Sequence, residues 1–435
     1  MHPIQKILAE RSEKKVGIYS CCSANEYVLR AAMERSRNSG EYLLIEATAN
    51  QVDQFGGYTG MKPQDFIRYV YRLAELESFP KDKLILGGDH LGPLTFSNQV
   101  EEAAMENASE LVRQYVSAGF TKIHLDTSMK VLNDSKDLRL SDSIIARRGA
   151  ILCKVCEEEY ERRKKQCPDS YPPVYVIGSE VPIPGGIQEG EDTVEVTTPV
   201  AARDTLNSFK NAFLALGLEG AWDRVIGLVV QPGVEFGDEA VFEYDRVKAK
   251  NLSAVLGNNT EMVFEAHSTD YQTRQSLREM VEDGYAILKV GPALTFAFRE
   301  ALFSLELIEK ELNKIEAYPQ GMSDFRHVLE MEMLEDTSKW ENHYHGTDQE
   351  LMFERAFSFS DRARYYSPKP RIIHAIDTLI ENLSCRKIPL TLLSQYFPSQ
   401  YMSVRMKKIE NTPLALIKDR IGDCIDDYSA ATRGY

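Results

Sequence analysis

The stretch Lys83–Pro93, KLILGGDHLGP, opens as a buried strand and ends on charge. Leu84, Ile85 and Leu86 form an apolar run, two glycines follow, and Asp89 and His90 stand side by side before Gly92 and Pro93. A carboxylate and an imidazole at the tip of a core strand are costly to desolvate unless something there pairs with them. The same design recurs along the chain. Short apolar runs bounded by turns occur in KVGIYSCCSAN, YLLIEATANQ, KLILGGDH, KIHLDTS, VYVIGSEV, RVIGLVVQPG, MVFEAHSTD and YAILKVGP, with helix-like periodicity between them. Strands alternating with helices in this number predict a closed parallel (β/α)8 TIM barrel.

The clearest intervening helix is EEAAMENASELVRQYVSAGF, with Gly119 as its stop, and DTLNSFKNAFLALG is expected to start at Asp204 as N-cap. LTFAFREALFSLELIEKELNKI reads as the closing helix. Beyond it the chain is rich in helix formers, arginine and tyrosine, with no further strand of this type. The expected organisation is therefore a barrel over 1–317 and a helical C-terminal extension over 318–435 packed on it.

The chain has 435 residues, 43% of them hydrophobic, which is enough for a large core. A formal net charge of −15 argues against a surface for nucleic acid or anionic lipid. No apolar run approaches the roughly 18 residues of a membrane span, and none resembles a signal peptide. Seven cysteines spread over a long chain indicate a reduced setting, so a cytoplasmic location is expected. Cys153 and Cys156 form a CxxC in a helix-like segment, without the second pair of a zinc site, and read as helical thiols.

In TIM barrels the C-terminal strand ends form the active site. Here those tips carry Glu46, Asp89, His90, Asp126, Glu180, Gln231, His267 and Lys289. Alone, His90 reads as a hydrogen-bonded core histidine; with His267 at another tip, the two read as ligands of one divalent ion, with Glu180 or Gln231 completing the set. Asp89 is a candidate general base or an orienting partner of a ligand. Asp126 and Lys289 can hold substrate hydroxyls or a phosphate, or pair with each other across the mouth. Lys289 also raises imine chemistry, against which the paired histidines count. His124, facing away from Leu125 within its strand, is expected to be structural, and His343 and His345 in the tail to serve surface or packing roles. NQVDQFGGYTG, with Gln54 and Gly57, and PIPGG (Pro182–Gly186) allow close backbone approach to a ligand, but neither has nucleotide-loop spacing.

IEATANQVDQFGGYTGM, LGGDHLGP, AGFTKIHLDTSM, EVPIPGG, VVQPGVEF, FEAHSTDYQT and LKVGPALTFAFREA together resemble the Z-type subunit of D-tagatose-1,6-bisphosphate aldolase, the GatZ/KbaZ family, over nearly the whole chain. The resemblance implies a TIM barrel related to class II, metal-dependent aldolases. It carries work on the substrate hydroxyl to Asp89 and metal binding to His90 and His267. Gln231 stands where the catalytic aldolases have a further histidine, and Glu180 matches an acidic position that could compensate. Catalytic roles are thus expected for Asp89, Glu180 and Asp126, and substrate contacts for Glu46, Gln54, Gly57, Gln231, Ser268 and Lys289. The implied cofactor is a divalent metal, Zn²⁺ first. The implied partners are a phosphorylated ketohexose, a Y-type catalytic aldolase subunit and a second copy of the chain. Some members resemble ketose 4-epimerases, others non-catalytic partners of the aldolase. A kinase reading finds no nucleotide-phosphate loop.

Overall fold

The computed structural model describes residues 1–135, 138–181, 194–256 and 261–434. Eight parallel strands close on themselves: β1 (Ile18–Cys21), β2 (Leu43–Thr48), β3 (Leu84–Leu91), β4 (Lys122–Leu125), β5 (Val174–Ile177), β6 (Val225–Val230), β7 (Val263–Ala266) and β8 (Tyr285–Val290). Closure pairs β1 with β8, Ile18 opposite Ile287. All eight strands fall on the apolar runs that the sequence predicts, and the architecture is the expected (β/α)8 barrel.

Alternation along each strand sorts side chains between two cores. Leu43, Ile45, Ile123, Leu125, Phe264 and Leu288 face outward into the layer packed under the helices. Leu44, Ile85, Val174, Ile226, Val263 and Ile287 face inward, where Ile4 and Leu8 of the N-terminal helix Pro3–Ala9 close the barrel floor. Two residues further along β2, β7 and β8, the inward positions are Glu46, Glu265 and Lys289, all buried. The interior therefore changes from hydrocarbon at the floor to charge at the mouth, and that change places the site.

Helix Glu101–Ala118 stops at Gly119, which takes φ 116°. The helix expected to start at Asp204 begins earlier, at Pro199: Thr198 accepts the Ala201 amide and the proline fits the first turn, leaving Asp204 inside the helix. The helix expected to close the ring runs Pro292–Ile315, but a later helix takes the place between the first and seventh helices of the ring. Beyond it the chain is helical, and its last helix, Pro413–Thr432, packs between Arg274–Glu282 and Glu26–Ser39 and against β1. It takes the eighth place in the ring. The Thr432 carbonyl accepts the Gly17 amide at 2.9 Å, Arg35 pairs with Asp419 at 2.8 Å, and Tyr428 donates to the Thr269 carbonyl at 2.6 Å. All seven cysteines are unpaired thiols. Among the described residues no helix is long and apolar enough to cross a membrane.

Candidate active site at the barrel mouth

The glycines of GGDHLG have steric reasons. A Cβ on Gly87 would come within 2.8 Å of the Glu46 side chain, so glycine lets that carboxylate point inward. A Cβ on Gly92 would lie 1.6 Å from the Asp126 carbonyl, so glycine lets the strand end close on its neighbour. Between them the β3–β4 register shifts, and His90 takes φ 50°, a left-handed conformation costly for a side-chain-bearing residue. Ser268, next to His267, does the same with φ 52°. Strain of this kind collects where side chains must be aimed.

Asp89 accepts from two sides. Its Oδ1 lies 2.8 Å from His124 Nδ1 and its Oδ2 lies 3.0 Å from Lys289 Nζ. His90 Nδ1 stands 2.8 Å from Asp126 Oδ2, and Asp126 also accepts from the Ser128 hydroxyl at 2.6 Å. His267 Nε2 is 3.0 Å from Glu265 Oε1. Beneath them runs a chain of buried ion pairs: Glu265 to Lys122 at 2.7 Å, Lys122 to Glu46 at 2.5 Å, then Glu46 to Lys289 and Lys289 to Asp89. Alternating charge offsets the desolvation of each member.

The electrostatics follow from these contacts. Burial works against an ionised Asp89, but His90, Lys289 and His124 outweigh it and hold the carboxyl well below its usual range. Burial likewise opposes the Lys289 ammonium, and Asp89, Cys22, Glu46 and Glu265 reverse the effect and raise its pKa well above the ordinary value. A lysine held as ammonium is no nucleophile, so the geometry gives imine chemistry no support. Burial pushes His267 down to about 4, which keeps its imidazole neutral and able to ligate. His90 moves the other way: burial lowers it, but Asp89 and Asp126 raise it further.

One ligand atom each from Asp89, His124, Glu265 and His267 lies within 4.8 Å of all the others. The ring centroids of His90, His124 and His267 stand 4.9, 5.1 and 5.2 Å apart. Three imidazoles at tetrahedral angles around one ion, with Zn–N near 2.1 Å, would be spaced about 5 Å between centroids. His124 Nε2 is buried without a hydrogen-bond partner, an expensive condition that a metal would relieve. Nitrogen and carboxylate donors on several strands suit a divalent ion, so these residues fit one.

The predicted residues separate into those the mouth collects and those it does not. His90, His267, Asp89, Asp126, Glu46 and Lys289 are brought together, but Asp126 and Lys289 do not pair with each other. Asp89 lies among the metal-capable groups rather than merely beside them. Glu180 pairs instead with Arg139 at 3.1 Å and accepts from Thr197 at 2.6 Å, half-exposed above the strands, so it does not join the metal-capable group. Gln231 turns back to accept the Gly233 and Val234 amides, and Gln54 donates to the Asn107 carbonyl. Gly57 packs against the Gln51 carbonyl with φ 55° and serves its own turn. PIPGG lies outside the described residues. His124, read as structural from sequence, sits inside the cluster, and so do Lys122 and Glu265. Their signal was available: each alternates with outward apolar residues, which in a barrel means facing in. The cleft above is lined by Asp89, His90, His267, Ser268 and Lys289, and by Arg364 and Tyr365 from the C-terminal region.

A parallel barrel that gathers imidazoles, carboxylates and a lysine at the C-terminal ends of its strands is of the enzyme-like TIM-barrel class, with a mouth suited to a divalent ion. A family model described as D-tagatose-1,6-bisphosphate aldolase subunit GatZ/KbaZ-like matches residues 4–433. The chain belongs to the GatZ/KbaZ-like family. It is 44% identical to a solved protein from Sinorhizobium meliloti 1021 described as a "probable tagatose 6 phosphate kinase", over 95% of this chain and 100% of that one, with a TM-score of 0.86. The fructuronate-tagaturonate epimerase UxaE from Cohnella laeviribosi matches at 11% identity over 96% of this chain and 82% of its own, with a TM-score of 0.46. The fructose-bisphosphate aldolase of Campylobacter jejuni matches at 12% identity, over 87% of this chain and 90% of its own, with a TM-score of 0.42. Likenesses at those last two levels carry no functional argument.

Replacing His124 or His267 by alanine should strip most of a bound divalent ion, because each removes a nitrogen donor from the same group. Elemental analysis after zinc supplementation and dialysis checks this. Full occupancy in both variants would place the ion elsewhere.

Proposed function

We propose that this chain performs metal-assisted aldol chemistry on ketohexose phosphates in the cytoplasm, as the Z-type subunit of a tagatose-bisphosphate aldolase working with a Y-type catalytic subunit. The convergence of Asp89, His124, Glu265 and His267 at the barrel mouth carries this reading, and family membership supports it. His90, His124 and His267, with Glu265, would hold the ion, Zn²⁺ first. A bound divalent ion would polarise the C2 carbonyl of the ketose as a Lewis acid.

The chain's own residues supply the rest. Asp89, kept ionised, takes the proton of the C4 hydroxyl. The former O–H pair forms the aldehyde carbonyl, the C3–C4 bond breaks, and its electron pair delocalises onto the C2 oxygen. Once Asp89 has taken the proton, the Lys289 ammonium 3.0 Å from it is left to offset the negative charge of the enediolate. Asp126 holds the His90 ring in place.

One observation favours a second reading, a stand-alone ketose 4-epimerase. Arg364 and Tyr365 line the cleft over the strand ends, so an aldehyde there is partly enclosed and can turn before the bond re-forms. A purely stabilising subunit would have no use for this donor set, and a kinase would need a nucleotide-phosphate loop that the sequence lacks.

The test incubates the purified chain with fructose 6-phosphate or with tagatose 1,6-bisphosphate, with zinc in D₂O, alone and with a Y-type subunit. Either reading expects no deuterium at C4, because that proton never leaves its carbon. Tagatose 6-phosphate from the chain alone marks the epimerase, and increased cleavage of tagatose bisphosphate only with the partner marks the subunit. Deuterium at C4 would eliminate the retro-aldol route.

A further inference from the structure

We propose that Arg364, delivered to the cleft by the C-terminal region, binds the terminal phosphate of the substrate and sets the preference for phosphorylated over neutral ketoses. The inference rests on the ketose-phosphate reading above and names the residue that enforces it. Lys289, the lysine of the strand ends that lines this cleft, is already spent on Glu46 and Asp89. Arg364 also lines the cleft, and it comes from outside the strands altogether.

Its side chain is held in a defined orientation. Nη1 donates to the carbonyls of Ser360 and Asp361, and Nη2 donates to the Tyr365 hydroxyl at 2.9 Å. These contacts use three of the five guanidinium N–H groups. Among the described residues, Nε and the second Nη2 hydrogen have no hydrogen-bond partner. Nε and Nη2 share one edge of the guanidinium, the fork that matches two oxygens of a phosphate.

The backbone under it is fixed as well. Asp361, with φ 45°, sits in the left-handed region at the start of the short helical turn Arg362–Tyr366. It is held there from the helix after β8, by the Thr295 hydroxyl at 2.5 Å and by the buried Arg299 at 3.1 Å. Thr295 itself lines the cleft. On the other side, Tyr58 of the loop after β2 meets the Tyr365 ring edge-on, centroids 4.9 Å apart. Asp361, strained and locked by buried contacts, fixes the turn from which Arg364 lines the cleft, which makes a built anion site rather than a surface arginine.

Calorimetric titration of the zinc-supplemented full chain with D-fructose 6-phosphate and with D-fructose tests this. Wild type should prefer the phosphate ester. Arg364→Gln should weaken fructose 6-phosphate roughly 10- to 100-fold and leave fructose unchanged. Arg364→Lys, which keeps the charge but not the fork, should recover only part of the loss. Elemental analysis should find wild-type zinc in both variants, which separates this role from the metal cluster. A phosphate preference in wild type that persists undiminished in both variants overturns the assignment of Arg364 and leaves the reaction standing. Equal binding of the two sugars by wild type overturns both.

Discussion

Asp89→Asn should lower turnover by about 10²–10⁴-fold while the chain keeps its metal, the range typical of losing a positioned general base. The amide preserves the shape and can still meet Lys289 through its oxygen, but it cannot accept the hydroxyl proton. His124, Glu265 and His267 remain as donors, so occupancy should survive. The measurement pairs steady-state kinetics on whichever sugar the wild type processes with elemental analysis of the same samples. Turnover within about twofold of wild type would remove Asp89 from the proton-transfer step.

The second large effect concerns stability. Lys122→Met should destabilise the fold by roughly 3–5 kcal/mol, the cost of leaving buried charges without their partner. Lys122 is fully buried and bridges Glu46 and Glu265, so its loss takes a shared partner from two buried carboxylates. Adding Glu265→Gln should recover part of that loss, because one of those charges is removed. The pH dependence has a definite sign. In wild type, burial raises the Glu265 pKa but Lys122 and Lys289 pull it below the usual range. Its contribution is therefore present above the unfolded value and lost as pH falls through the folded one. In the Lys122 variant Glu265 loses the first of these pulls, so less of this contribution is there to be lost as pH falls. The gap between the two proteins should narrow from pH 7 to pH 5 in urea titrations. A gap under about 1 kcal/mol at pH 7 would mean that water reaches the pair.

The strand ends were the legible part of this site. KLILGGDH announces both its burial and its charged tip, and hydrophobic runs of that kind located every barrel strand. His124 shows where such reading stops. It points away from Leu125, and Leu125 packs under the helices, so that direction leads into the barrel. Lys122 and Glu265 lie below the tips, where the inward stripe turns from hydrocarbon to charge. Only the alternation within a closed sheet reveals them. Glu180, Gln231 and Gln54 point away from the cluster for the opposite reason. They follow strands but have nearby loop amides, carbonyls and an arginine to satisfy, and those local partners decided where the side chains went. Arg364 had no sequence signal, because a tail of helix formers does not say which turn will reach the mouth.

The helix Pro413–Thr432 in the eighth ring position has a consequence for how the protein is made. Translation proceeds at about 5–20 residues per second, so roughly 20–80 s separate synthesis of β1 from synthesis of the helix that covers it. Throughout that interval the nascent barrel has an apolar seam facing solvent, on the side where Tyr19 will later meet Tyr428. Vectorial folding from the ribosome can assemble β/α units in turn, but the ring completes only once this last helix has been made. The half-built chain is therefore a natural client for chaperones, and its yield in a foreign host should depend on their supply.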